Sequence, residues 1–249
     1  MNYYNEFDPF AAAWLRELIK EGLIPQGEVD ERSIIEVEGS DLKGFTQCHF
    51  FAGIGGWSYA LQLAGWSADR SVWTGSPPCQ PFSVAGKGKG KDDERHLWSS
   101  FFKLIRECSP PTVFGEQVAS AIRHEWFDDL QTDMEAEGYA TGLVVLPSCS
   151  VGAPHKRERL FFVSDSNSKR KHSPLHRMEQ GRNKETSTEA YWSGKSFRFN
   201  DGKLRQIPVE PEIFPVVDGV SNRMGILRGA GNAIVPQVAA EVIKAYMAY

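Results

Sequence analysis

The stretch QCHFFAGIGGWSYALQLAG, residues 47–65, joins a short apolar run to three closely spaced glycines and then to a helix-forming segment. We predict a strand over residues 47–51 and a helix over 57–64 that Gly65 ends. A strand, a glycine turn and a helix in this order let the backbone approach a ligand and point helix N–H groups at it. The spacing G-x-G-G is an incomplete dinucleotide fingerprint, so a tight turn without a ligand explains this stretch equally well.

Apolar strands alternate with amphipathic helices on both sides of this stretch. Asp8 and Pro9 form a good helix start, and the isoleucine pair at 34–35 favours a strand. Strands that alternate with helices imply an α/β fold with a mainly parallel sheet. The apolar pattern predicts strands over 72–74, 112–114, 143–146 and 160–163, and helices over 97–108, 125–137 and 236–249.

The composition is that of an ordinary globular protein: 249 residues, 24% of them charged, with a net charge of −4. A chain of this length predicts one main domain with a small lobe. No apolar run approaches the roughly 18–20 residues that span a membrane, and the first ten residues lack the features of a signal peptide. The four cysteines lie far apart, which favours a reduced cytoplasmic chain without a metal site.

Two reactive side chains follow strands of the predicted sheet. Cys79 lies on a stiff turn that Pro77 and Pro78 brace, and Glu116 follows the strand at 112–114. The carboxyl ends of strands in an open α/β sheet form the ligand crevice, so both side chains can converge there. Each also has a simpler explanation, since a lone cysteine is most often a small buried residue and a glutamate a surface charge.

Basic residues near these positions suit phosphate or a planar acceptor. The segment 83–95 is rich in glycine and lysine, and Arg157 and Arg159 share one face of a strand approach. Asn232 precedes the last helix, where it can cap the helix or bind a ligand. The simpler explanations are a solvated loop for the segment 83–95, a basic strand entry for Arg157 and Arg159, and a helix cap for Asn232.

In this order the motifs resemble those of the DNA cytosine-C5 methyltransferase family, in the compact form of phage or prophage members. The resemblance covers about residues 47–165 and 219–245, and five motifs in family order are highly specific together. They are the cofactor loop from Phe51 to Gly56, the nucleophile motif Pro78-Cys79-Gln80, the Glu-Asn-Val motif as Glu116-Gln117-Val118, the pair Arg157 and Arg159, and the terminal Gly231-Asn232.

The resemblance implies a Rossmann-like S-adenosylmethionine-dependent methyltransferase sheet with a small loop-rich target-recognition lobe. The chain is then expected to act as a monomer on double-stranded DNA, without a metal or a membrane partner, in the cytoplasm of a bacterial or phage-infected cell. The residues implied to bind S-adenosylmethionine are Phe51, Ala52, Gly53, Ile54, Gly55, Gly56, Trp57, Pro78, Asn232 and Ala233. Those implied to contact DNA are Gln80, Ser83, Lys87, Lys89 and Arg95.

The same resemblance gives catalytic roles to four side chains. Cytosine C5 is a poor nucleophile that thiolate addition at C6 makes enamine-like, so Cys79 is the expected nucleophile. Glu116 would hold N3 and the exocyclic amine, Arg159 would bind the base O2 and orient Glu116, and Arg157 would support the base or its phosphate. A base within a duplex is out of reach, so the target must be flipped out, with the segment 83–95 as the lid.

The resemblance also implies how the chain is divided into parts, among them a basic, irregular lobe that is expected to read the target sequence. Only about 20 residues separate Gly56 from Pro77, where the family has two strands whose acidic residues hold the ribose and adenine of the cofactor. The segment 27–30 resembles the adenine-contacting motif, so the N-terminal segment is predicted to complete the pocket, with Asp69 as a rival. The predicted parts are an N-terminal helical segment (1–45), a catalytic domain (46–165), a target-recognition lobe (166–228) and a C-terminal helix (229–249).

Two alternatives stay open at this stage. An RNA cytosine-C5 methyltransferase would use the same Cys79 chemistry. A DNA-binding relative that has lost its cofactor would explain the short segment after Gly56, although Cys79, Glu116, Arg157 and Arg159 are all present.

Overall fold

A computed structural model of the chain describes residues 1–77, 95–119, 126–153, 156–166, 194–198, 204–208 and 233–249. Within these ranges strands and helices alternate, as predicted. The strands are β1 (Asn2–Asn5), β2 (Gly27–Asp30), β3 (Gln47–Phe50), β4 (Val72–Gly75), β5 (Thr112–Val118), β6 (Ala140–Pro147), β7 (Glu158–Asp165), β8 (Gly194–Arg198) and β9 (Leu204–Pro208). The helices are α1 (Pro9–Lys20), α2 (Gly56–Ala64), α3 (Arg95–Cys108), α4 (Trp126–Ala136) and α5 (Pro236–Ala248).

Seven strands form one sheet in the order β2-β1-β3-β4-β5-β7-β6, and β8 pairs with β9 separately. The neighbours from β2 through β5 are parallel, whereas β7 runs antiparallel to both β5 and β6. The prediction of an α/β fold with a mainly parallel sheet is therefore confirmed.

The N-terminal segment contributes two strands to this sheet. Its helix α1 starts as predicted, because the Asp8 side chain accepts hydrogen bonds from the backbone N–H groups of Phe10 and Ala11 at 2.8 and 3.2 Å. On either side of α1, however, two strands join the sheet: β1 pairs with β3, and β2 pairs with β1. The strand predicted at 34–35 is wrong: Ile34–Glu36 is a short 3-10 turn that Ser33 and Glu36 cap reciprocally.

Apolar side chains cover the sheet on both faces, as alternation along each strand requires. On one face Phe50, Trp73 and Val113 pack with residues of α3 and α4, among them Phe101 and Leu130. On the opposite face α2 and α5 pack together against Phe114 and Phe161. Helices on both faces are the arrangement that a largely parallel sheet needs for burial.

The parallel register aligns the carboxyl ends of five strands along one edge of the sheet. Asn5 lies opposite Asp30 and Phe50, Phe50 opposite Gly75, and Gly75 opposite Gly115. The residues that follow these positions therefore meet at that edge, which we call the carboxyl edge. Among the described residues, no helix has the length and apolar character that crossing a membrane requires.

Candidate active site

The glycine loop between β3 and α2 lies at the carboxyl edge. Gly53 and Gly55 have φ values of 55° and 82°, in the left-handed region that favours glycine. At Gly56 a side chain is excluded for another reason. A Cβ there would lie 2.8 Å from Cγ1 of Ile234, just before α5. The loop is thus a sharp turn pressed against Ile234 just before α5, and α2 begins directly after it.

Glu6, directly after β1, is bound to this glycine loop. Its Oε2 accepts a hydrogen bond from the backbone N–H of Gly53 at 2.6 Å, and its Oε1 accepts one from Asp8 N at 2.8 Å. The pKa of the Glu6 carboxyl is raised, because the effect of burial exceeds that of these two backbone donors, which act to lower it. Glu6 was not predicted from the sequence, where the available signal was an acidic residue two positions after the pair Tyr3-Tyr4.

The two acidic positions considered for the cofactor pocket lie at opposite edges. Asp30, at the end of β2, accepts hydrogen bonds from the Tyr3 hydroxyl at 2.7 Å and from both Nε and Nη2 of Arg32. Burial would raise the pKa of Asp30, but the hydrogen bonds from Arg32 and Tyr3 outweigh it and lower that pKa. Asp69 precedes β4 and therefore lies at the amino-terminal edge, away from the glycine loop.

A buried ion pair joins two of the predicted catalytic residues. The Nε of Arg159, in β7, lies 2.7 Å from Oε1 of Glu116, in β5, and Glu116 is 7% exposed. The strand predicted to end at 114 continues to Val118, which places Glu116 inside the sheet. Burial raises the pKa of Glu116, whereas the nearby charges of Arg159 and Arg157 act to lower it.

Arg157 is bound to the chain just before α5. Its guanidinium donates from Nη2 to the backbone carbonyl of Ala233 at 2.8 Å. Its backbone has a φ of 24°, which is unusual for a side chain of this size. Burial and the neighbouring Arg159 lower the pKa of Arg157, while Glu116 raises it. Arg157 therefore holds the chain before α5, while its charge acts on the same carboxylate that Arg159 pairs with.

Two side chains fix the residues that lead to the nucleophile motif. The indole Nε1 of Trp57, in α2, donates to the Ser76 hydroxyl at 2.9 Å. The side-chain amide of Gln117 donates to the Pro77 carbonyl at 3.0 Å. Neither contact was predicted, because each joins residues that are distant in sequence and no local pattern reveals which of them meet. Together they tie the chain before Pro78 to both α2 and β5.

Several predicted site residues lie outside the described residues. The predicted recognition lobe is described only by the backbones of β8 and β9 and by residue 166. Arg95 opens α3, but its side chain is outside the description. Among the described residues no group of three or more His, Cys, Asp or Glu could hold a metal ion. The predicted site residues outside the description are Pro78, Cys79, Gln80, Ser83, Lys87, Lys89 and Asn232.

Comparison with known proteins identifies similar sequences. The family model described as C-5 cytosine-specific DNA methylase matches residues 67–208. The Type II methyltransferase M.HhaI of Haemophilus parahaemolyticus is 27% identical over 169 residues, which are 52% of each chain. M.AplI of Arthrospira platensis is 33% identical over 95 residues, 37% of this chain and 28% of that protein. The chain thus spans about half or less of the curated relatives it matches.

Solved structures with a similar fold are also methyltransferases by name. The Entamoeba histolytica methyltransferase EhMeth aligns with a TM-score of 0.55 at 14% identity, covering 97% of this chain and 88% of that one. A mutant of Spodoptera frugiperda DNMT2 aligns with a TM-score of 0.51 at 13% identity, covering 98% of both chains. The predicted Rossmann-like methyltransferase sheet is confirmed at the level of the fold.

Proposed function

The chain belongs to the C-5 cytosine-specific DNA methylase family, and from this premise we propose that it methylates C5 of a cytosine in double-stranded DNA. The observation that carries the proposal is the buried pair of Glu116 and Arg159 at the carboxyl edge. It lies beside Ser76 and Pro77, which lead directly to the Pro78-Cys79 motif. A buried carboxyl, a paired guanidinium and a thiol at one strand edge suit covalent activation of a pyrimidine ring.

Each of these side chains has a distinct part in the proposed reaction. The Cys79 thiolate adds to C6 of the flipped base, which makes C5 nucleophilic. Burial favours the protonated form of Glu116, which in that form can donate to N3 of the base while it accepts from the exocyclic amine. Arg159 holds the carboxyl at 2.7 Å and offers its remaining N–H groups to O2.

The glycine loop and Glu6 fit S-adenosylmethionine, which would supply the methyl group when bound. The left-handed turn at Gly53 and Gly55 brings the loop backbone sharply round into the start of α2, where a helix N-terminus can approach a ligand. Asp30 accepts from the Tyr3 hydroxyl and from two guanidinium nitrogens of Arg32, whereas each Glu6 oxygen accepts one backbone hydrogen bond, so Glu6 is the better acceptor for the ribose hydroxyls. Next to it Phe7 is 71% exposed and offers a ring face to the adenine.

The short segment between Gly56 and Pro77 is explained by chain order. The strand β1 pairs with the glycine-loop strand β3, and β2 pairs with β1; both precede β3 in the sequence instead of following it. The acidic edge of the cofactor pocket therefore comes from the first 45 residues, and the segment after α2 needs no further strands. This order weakens the alternative in which the chain has lost its cofactor site.

The lobe over 166–228 is the proposed reader of the target sequence. It lies outside the motif-bearing sheet and is locally basic, with residues 156–205 holding about twice as many basic as acidic side chains. Lysine and arginine there suit phosphate contacts and guanine edges. The proposed reaction needs only one copy of the chain, so we propose that it acts as a monomer. We propose the cytoplasm as the place where it acts.

The test is transfer of a labelled methyl group from S-adenosylmethionine to duplex DNA and, in parallel, to tRNA. DNA labelling that Cys79→Ser abolishes, together with a covalent complex on DNA carrying 5-fluorocytosine, supports the proposal. Labelling of tRNA alone would favour the RNA enzyme. Binding of DNA with no labelling and no cofactor binding would favour the non-catalytic relative.

A further inference from the structure

The indole of Trp57 binds the first turn of α2 to the residue that follows β4. Its Nε1–H donates to the Ser76 hydroxyl at 2.9 Å. An indole N–H can only donate, so the direction of this hydrogen bond is fixed. Trp57 is 3% exposed, whereas Ser76 is partly exposed. The contact joins two segments that are 19 positions apart in the sequence and carry different parts of the proposed site.

Aromatic neighbours hold the ring of Trp57 in one place. It stacks on Phe114 of β5 with the ring centroids 6.2 Å apart, and it meets Phe161 of β7 edge-on at 6.2 Å. All three rings belong to the buried cluster between the sheet and the helices α2 and α5. A side chain that packing already holds loses little further conformational entropy when it makes a hydrogen bond. The indole N–H is thus a fixed point to which Ser76 is bound.

The backbone of Trp57 continues directly from the glycine loop. Trp57 is the second residue of α2, after Gly56, and Gly55 caps the helix with a φ of 82°. Gly56 in turn is pressed against Ile234. A shift of the Trp57 side chain with its helix turn would therefore also displace the loop proposed to hold the cofactor.

Two prolines connect Ser76 to the proposed nucleophile. Pro77 and Pro78 precede Cys79 in the sequence, and each ring restricts rotation about φ. A stiff connection transmits a displacement of Ser76 towards Cys79 instead of absorbing it. Gln117 holds the Pro77 carbonyl at 3.0 Å, but that contact comes from β5 and does not bind the segment to α2.

We propose that Trp57 is a positioning residue: through Ser76 it holds the start of the nucleophile motif in a fixed relation to the glycine loop, so that the thiol and the methyl donor reach the same base. The inference rests on the proposed function in that Cys79 is the nucleophile and the glycine loop the cofactor site. A misplacement of about 1 Å can slow a reaction about a hundredfold, so the effect falls on the rate of transfer and not on binding.

The experiment compares Trp57→Phe and Ser76→Ala with the wild-type chain, since each variant removes one partner of the hydrogen bond. Single-turnover methyl transfer to DNA at saturating S-adenosylmethionine should slow about tenfold or more in both, while the calorimetric Kd of S-adenosylmethionine stays within about twofold. The double variant should be no slower than Trp57→Phe alone, because both changes remove the same contact. Ser76→Thr keeps the acceptor and should restore the rate; a rate as low as that of Ser76→Ala would contradict a role for the hydroxyl.

Trp66→Phe is the matched control for loss of a buried indole. Trp66 is 6% exposed, packs on Phe114 in the same cluster, and donates from Nε1 to the Arg70 carbonyl at 3.1 Å, at the amino-terminal edge of the sheet. This variant should lower the urea midpoint of unfolding about as much as Trp57→Phe does and keep the wild-type transfer rate. Equal slowing in the two variants, or weaker cofactor binding by Trp57→Phe with an unchanged rate, overturns the proposal.

Alkylation of Cys79 by iodoacetamide tests the Trp57–Ser76 contact without DNA or cofactor. At pH 9 an ordinary thiol is mostly ionised, so the alkylation rate measures access to the sulfur. Site-resolved mass spectrometry should show Cys79 reacting about threefold faster or more in Trp57→Phe and in Ser76→Ala, because local opening becomes more frequent. The exposed Cys149 should react at the same rate in every variant. An unchanged or lower Cys79 rate overturns the proposal.

The two measurements distinguish failure of this inference from failure of the proposed function. If the wild type methylates no DNA but the Cys79 alkylation rate rises in both variants, the proposed function fails while the positioning by Trp57 stands. If the wild type methylates DNA and both variants transfer methyl groups at its rate, the positioning role of Trp57 alone is overturned.

Discussion

Gln117 donates a hydrogen bond from its side-chain amide to the carbonyl oxygen of Pro77 at 3.0 Å, and so ties the end of β5 to the chain just before Pro78-Cys79. Its own side-chain oxygen accepts from the backbone N–H of Val118 at 2.9 Å, which fixes the amide orientation. Glutamine stands here where the family motif has asparagine. The longer glutamine side chain still ends in an amide, and this amide donates to the buried carbonyl of Pro77.

The first prediction concerns this anchor. Gln117→Leu should leave the Pro77 carbonyl unpaired, reduce the free energy of unfolding by about 1–3 kcal/mol, and slow methyl transfer roughly tenfold or more through a misplaced thiol. Urea unfolding and single-turnover transfer rates measure the two effects.

The matched control for that anchor is Gln47→Leu. Gln47 is equally buried and donates to the Ser67 carbonyl at 3.1 Å, but at the amino-terminal edge of the sheet. It should lose similar stability and keep the wild-type transfer rate. Equal slowing in both variants would show that Gln117 acts through stability alone.

The second prediction concerns the buried ion pair. Arg159→Ala leaves the Glu116 carboxylate buried without its nearest cation, so the free energy of unfolding at pH 7 should fall by about 2 kcal/mol, partial exposure of Arg159 being taken into account. Adding Glu116→Gln should recover part of the loss in a double-mutant cycle. Lys20→Ala, which breaks the exposed pair with Glu17, should cost less than about 0.5 kcal/mol. Additive effects of the two site variants would contradict a coupled pair.

The third prediction concerns His49, a buried imidazole in β3. Its Nδ1 lies 2.8 Å from the Thr74 hydroxyl, its ring stacks on Tyr4, and its Nε2 has no hydrogen-bond partner among the described residues. Burial lowers the pKa of His49 to about 3. The unfolded chain therefore binds a proton that the folded chain does not between about pH 6.5 and pH 3, so acidification through this range destabilises the fold.

Replacing His49 should remove that pH dependence. The difference in unfolding free energy between wild type and His49→Asn should change by about 1.4 kcal/mol per pH unit from about pH 6 to pH 4, with the wild type losing more on acidification. Thr74→Val keeps the titrating group and should retain the wild-type slope. Parallel pH curves for wild type and His49→Asn would show that His49 is not the buried neutral group described.

The fourth prediction concerns the cofactor pocket. Glu6→Gln should weaken S-adenosylmethionine binding about tenfold or more in calorimetry, because hydrogen bonds to a charged acceptor are the stronger ones. Asp69→Asn, at the opposite edge, should leave the dissociation constant unchanged. The reverse pattern would move the ribose site to Asp69 and refute the role given to the N-terminal strands.

The sequence predicts those parts of the fold whose signal is local. The strand before Gly53, the helix that Gly65 ends and the cap at Asp8 each follow from a few adjacent residues. The strands β1 and β2 have four residues each, too few for periodicity to show. Only the pairing of β1 with β3 and of β2 with β1 gives them a place in the sheet.

The residues of the site also divide into those that a sequence pattern reveals and those that it does not. Glu116, Arg157 and Arg159 could be found because they belong to a family pattern. The contacts of Glu6 with Gly53, of Trp57 with Ser76 and of Gln117 with Pro77 arise from the sheet register and from helix packing. Register sets which side chains meet across strands, and a pattern within a single strand does not reveal it.

The most direct test of the central claim is methylation sequencing of DNA from cells that lack cytosine methylation and express the full chain. The account predicts 5-methylcytosine at one fixed position of a short recurring sequence, and none in matched cells expressing Cys79→Ser at the same level. Unmodified DNA in cells that contain the folded wild-type chain, or equal modification by Cys79→Ser, would contradict it.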